Sequence, residues 1–129
     1  IDSNVLLRVL LSDDAPQAAR ARRLLEAECA QGHLAYVNRG VLLEALWTLT
    51  RGYRYSRLQL ADAIELLLSS PELVIEDRAA VAEALAQLPR TRADFADLLI
   101  GATNRRAGCA TTYTFDRRAA ATAEFTAVG

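Results

Sequence analysis

Apolar positions along the chain fall into two kinds of run. The longer runs read as helices: Val5 to Leu11, the Ala/Arg/Leu/Glu-rich segment from Gln17 to Gln31 that Gly32 closes, and Val41 to Leu49. Leu60, Ile64, Leu67 and Leu68 share one face of a helix from Arg57 to Ser69, opened by Ser56 as N-cap and stopped by Pro71. Further helices are expected over Arg78 to Leu88, ended by Pro89, over the stretch beginning Asp94-Phe95-Ala96-Asp97-Leu98-Leu99-Ile100 and running to Ala107 before Gly108, and over Arg117 to Glu124. The shorter runs, Leu34 to Val37, Leu73 to Ile75, Cys109 to Phe115 and Phe125 to Val128, are candidate strands, and Ile1-Asp2 reads as the end of another.

Strands alternating with helices predict a parallel sheet covered on both faces. In such a sheet, sites form beyond the carboxyl ends of the strands, where loops pass into helices. Asp2 and Asp116 fall at predicted strand ends, while Glu44 and Asp97 fall in the first turns of helices. Each acid has a local explanation. Asp2, Asp94 and Asp116 suit N-caps, with Asp97 at N3 behind Asp94, and Glu44 has Arg39 and Arg51 within reach as partners. Yet Glu44 interrupts an otherwise apolar helix, and four acids at one sheet rim are poorly served by four separate explanations.

Composition narrows the chemistry. All fifteen basic residues are Arg, and His33 is the only histidine. A P-loop lysine, a Schiff-base lysine and a His-rich metal site are therefore excluded. Converging carboxylates repel unless divalent cations lie among them, and Mg²⁺ or Mn²⁺ takes hard oxygen ligands. Such ions activate water and neutralise a phosphodiester without His or Lys. The length of 129 residues, 52% hydrophobic, suits one domain over 1–129. Cys29 and Cys109 lack CxxC spacing and read as reduced core residues. No signal peptide opens the chain, and no apolar run approaches the roughly 18 residues of a membrane span, so a cytoplasmic location is expected.

Four segments, in order, resemble those of the PIN-domain ribonucleases, in particular VapC-type toxins of bacterial toxin-antitoxin modules. They are Ile1-Asp2-Ser3-Asn4-Val5-Leu6, Val41-Leu42-Leu43-Glu44, Asp94-Phe95-Ala96-Asp97-Leu98-Leu99-Ile100-Gly101-Ala102 and Thr114-Phe115-Asp116-Arg117. The resemblance implies a PIN-like three-layer α/β/α sandwich with a central, mostly parallel sheet. It makes Asp2, Glu44, Asp97 and Asp116 an acidic quartet for Mg²⁺ or Mn²⁺, with Asp2 and Asp97 as direct ligands. Asn4 and Thr114 match polar positions beside the quartet, and Asp94 becomes a supporting or capping acid. An RNA substrate, a homodimer and a VapB-like antitoxin are further implications. Two departures stand out: most of the first strand would precede Ile1, and Asn38-Arg39 replaces a common Ser or Thr ahead of the Glu-bearing helix.

Two other functions compete. An acidic-pocket phosphatase with Asp2 as nucleophile needs an Asp two residues on and a lysine, whereas this chain has Asn4 there and no Lys. An inactive PIN-like binding scaffold would be expected to have lost one of the four acids. The Arg residues at 51, 54, 57, 90, 92, 105, 106, 117 and 118 are candidates for an RNA-facing set, most of them ordinary solvated charges. Tyr53 and Tyr55 are candidates for base stacking, for helix-hairpin packing or for a dimer contact, and the apolar stretch around Trp47 for core or for an antitoxin groove.

Overall fold

Local capping chemistry sets most of the element boundaries. The computed structural model describes residues 1–11 and 13–129, in two compact units, Ile1–Glu76 and Asp77–Gly129. In the first unit, helix α1 (Ser3–Leu10) starts where the Asp2 carboxylate accepts the Val5 N–H at 3.0 Å. Helix α2 (Ala15–Ala30) starts at Asp14 with Pro16 in its first turn, and the chain leaves it through Gly32 at φ +82°, a conformation that suits a residue without Cβ. Asn38 opens α3 (Arg39–Arg51), and Ser56 with Gln59 forms a complete capping box at α4 (Arg57–Ser69).

Strands β1 (Ala35–Val37) and β2 (Leu73–Ile75) pair in parallel, with Tyr36 opposite Val74 on the exposed side and Val37 opposite Ile75 buried. Ile1 is not in a strand; its amino group donates to the Tyr36 carbonyl at 3.0 Å. Leu6, Val37, Leu42, Leu49, Ile64 and Leu67 are essentially inaccessible to solvent and form this unit's core. Helix α1 packs on both α2 and α3, and α4 packs on α3 and β2.

The second unit begins with α5 (Arg78–Gln87), which runs into a short 3₁₀ turn at Leu88–Arg90. Helix α6 (Phe95–Arg106) lies against α5, burying Phe95, Leu98, Leu99, Gly101 and Ala102. Strand β3 (Thr112–Thr114) pairs in parallel with β4 (Phe125–Ala127), and helix α7 (Arg117–Ala120) makes the crossover between them. A Cβ added to Gly101 would stand 2.6 Å from the Phe125 ring and 3.0 Å from the Glu124 Cβ. Glycine is thus what lets α6 approach β4 so closely.

The α/β class with parallel strand pairing holds, and several expectations need correction. The segment from Val41 to Leu49 is not buried all round. It buries Leu42, Ala45, Leu46 and Leu49, and leaves Glu44 and a 64% exposed Trp47 on the other side. Cys109 is exposed rather than core, because it lies in the turn after Gly108; Cys29 is half-buried, and both are free thiols. The strand expected to Phe115 stops at Thr114, since the chain turns into Asp116 and leaves Phe115 86% exposed. The last helix ends at Ala120 instead of Glu124, where the Thr122 hydroxyl donates to the Ala119 carbonyl and redirects the chain into β4.

Candidate active site

In the second unit, two element junctions carry the acids. Strand β3 ends at Thr114, whose hydroxyl accepts the Asp116 N–H at 3.0 Å and fixes the turn. Asp116 then caps α7 through one carboxylate oxygen, which accepts from Arg118 N–H at 2.7 Å and Ala119 N–H at 3.1 Å. Those two bonds, to Ala119 and then Arg118, hold the Asp116 pKa below the ordinary aspartate value, with the Arg118 guanidinium adding to the effect.

Asp97 lies in the first turn of α6 and is partly buried, in a helix that also buries Phe95, Leu98 and Leu99. Its pKa is raised, first by burial, then by the negative charge of Asp116 and of Asp94. All three causes act in one direction. Because the cap bonds keep Asp116 ionised, the repulsion between the two acids falls on Asp97. Asp94 occupies the N-cap position of α6 with extended backbone, but its side chain makes no capping bond. Its expected role as cap is therefore not realised, and its carboxylate instead adds negative charge near Asp97.

In the first unit, Asp2 and Asn38 open α1 and α3, two helices in contact. Glu44 lies on α3, one turn after its start, with its side chain exposed. Arg39, an expected partner for Glu44, is 3.4 Å from Glu76 instead. Asn4 is exposed on α1 and lines a groove with Arg8, Gln17 and Leu24. The Tyr53 hydroxyl donates to Asp13 at 2.7 Å, and its ring stays exposed.

The donor chemistry fits a hard divalent cation. Asp2 and Asp116 each use one carboxylate oxygen, Oδ1, on a helix terminus, which leaves Oδ2 for a ligand while the cap holds the side chain in a fixed pose. Among the described residues, no group of three or more His, Cys, Asp or Glu side chains is gathered closely enough to hold a metal. The second unit also carries a cavity that its Arg residues share, lined by Arg90, Arg92, Arg117 and Arg118. Sequence reading counted these among many arginines; the available signal was the Arg-Thr-Arg spacing at 90–92 and the pair directly after Asp116.

Fold and acids together describe an α/β protein with carboxylates at the loop after a parallel strand. The family model for the PIN domain matches residues 1–125, and the chain belongs to that family. PIN domains are generally nucleases and typically use divalent metals. Comparison with curated proteins and with solved structures returns no match. Among the described residues, no helix is long and apolar enough to cross a membrane.

Proposed function

We propose that this chain is a Mg²⁺- or Mn²⁺-dependent endoribonuclease, the VapC-type toxin of a toxin-antitoxin pair, and that its two units are halves of one PIN-like domain. The observation that carries the reading is the partly buried Asp97 whose pKa is raised by burial and by the neighbouring Asp116 and Asp94, an arrangement that favours a bound cation. Asp97, Asp116, Asp2 and Glu44 would hold the ions, with Thr114 fixing the Asp116 turn and Asn4 as a further polar group. A bound divalent cation would supply Lewis-acid activation of water and neutralisation of the phosphodiester. The chain's own part is to hold the carboxylates rigidly, through the caps at Asp2 and Asp116 and the buried apolar residues that anchor α6.

A homodimer, a cytoplasmic location and a VapB-like antitoxin complete the proposal. The exposed Trp47 and the Asn4–Leu24 groove offer apolar surface for a partner segment. Titration calorimetry with Mn²⁺ separates an enzyme from an inactive scaffold. The wild-type chain is expected to bind the ion and Asp97→Asn to lose that binding; equal binding by both would contradict the assignment. Growth arrest on expression, relieved by the product of an adjacent small reading frame, tests the toxin role.

A further inference from the structure

Four arginines line one cavity of the second unit, about 550 Å³ in volume. Arg90 and Arg92 come from the 3₁₀ turn and the residues after it, Arg117 and Arg118 from the first turn of α7, and no acid lines the cavity. All four side chains are exposed, and among the described residues none is in an ion pair. Elsewhere in the same unit, Arg105 pairs with Glu83, and Arg106 lies 3.3 Å from both Glu83 and Asp77. Arg118 feels the Asp116 carboxylate, but no acid lines the cavity itself, and gathering like charges is unfavourable unless an anion answers them. Guanidinium forks match phosphate oxygens bidentately, and the cavity is several times the size of one phosphate group. Two residues before Arg117 stands Phe115, 86% exposed, the ring type on which unpaired bases stack.

We propose that this arginine cavity grips the sugar-phosphate backbone of a single-stranded nucleic acid, with Phe115 available to stack a base, and feeds the strand toward Asp116, the residue directly before Arg117. Single-stranded nucleic acid is favoured over an acidic protein segment because an exposed ring stands two residues before Arg117 in the chain, and carboxylate recognition needs no ring. The purpose of the grip rests on the nuclease reading; the grip itself does not.

The test is fluorescence anisotropy of the full chain with a labelled oligouridylate of about 12 nucleotides, within the span one such groove tracks. Chelator is present throughout, so that nothing is cut. Arg92→Ala/Arg118→Ala is compared with Arg22→Ala/Arg23→Ala, which removes the same charge from exposed positions of α2. The first variant is expected to weaken binding by about tenfold or more and to lower the salt slope by about 1.4, from two lost phosphate contacts. Equal effects of the two variants would overturn the proposal. So would displacement of the oligonucleotide by polyglutamate as readily as by unlabelled oligouridylate. If the wild-type chain binds as expected but never cleaves with metal restored, the nuclease reading fails and the grip stands.

Discussion

Asp97 shows how a proposed site residue differs from a capping one. Its raised pKa means that ionisation costs the folded protein stability. Below the ordinary aspartate value of 3.8 the group is protonated in both states and costs nothing; the cost builds as pH rises through the raised folded value. In chelator, Asp97→Asn is therefore expected to melt at a higher temperature than the wild-type chain at pH 7 and at the same temperature near pH 3, by differential scanning calorimetry. A lower melting point at pH 7 would show that Asp97 is structural. Asp116 has the opposite sign, since its lowered pKa gives stability that is present above 3.8 and lost as pH falls through the folded value. Asp2→Asn and Asp116→Asn keep a side-chain oxygen for the cap, so both should lose ribonuclease activity while staying folded, Asp116→Asn with a somewhat lower melting temperature at pH 7 because the stabilising charge is gone. Residue types and positions marked the acids as candidates in the sequence. Which of them cap was not legible, because a cap and a ligand call for the same carboxylate, and only the geometry shows Asp116 capping while Asp94 does not.

Among the elements, α6 carries the strongest constraint. Gly101→Ala gains helix propensity of about 1 kcal/mol but drives a methyl group into the buried Phe125 ring. A net loss of about 1–2 kcal/mol is expected in urea unfolding, partly recovered by adding Phe125→Leu; a stabilised single variant would contradict the close approach of α6 to β4. Ser56→Ala should cost about 1 kcal/mol through the lost capping box. Caps and breakers were readable: Ser56 and Pro89 stand at the boundaries they signal. The burial of α3 was less so. A run such as Val41 to Leu49 has enough apolar side chains to cover two faces, but its helix buries one, and sequence does not say which side Trp47 occupies.

At the scale of the molecule, the sequence carried the α/β class and parallel pairing, because short strand runs recur between longer helical ones. It could not show that pairing falls as β1 with β2 and β3 with β4, since three-residue strands specify neighbours only through tertiary packing. One PIN-like domain should unfold as one: Trp47 fluorescence, which reports the first unit, and far-UV circular dichroism should give coincident urea transitions. Separated transitions would mean that the two units fold independently. The central claim is that Asp97 belongs to a metal-dependent ribonuclease centre, and cleavage of end-labelled single-stranded RNA tests it most directly. The wild-type chain should cut in Mg²⁺ or Mn²⁺ and stop in EDTA, and Asp97→Asn should lose more than about 100-fold, beyond what loss of a supporting residue costs. Undiminished cleavage by Asp97→Asn, or cleavage that persists in EDTA, would contradict it.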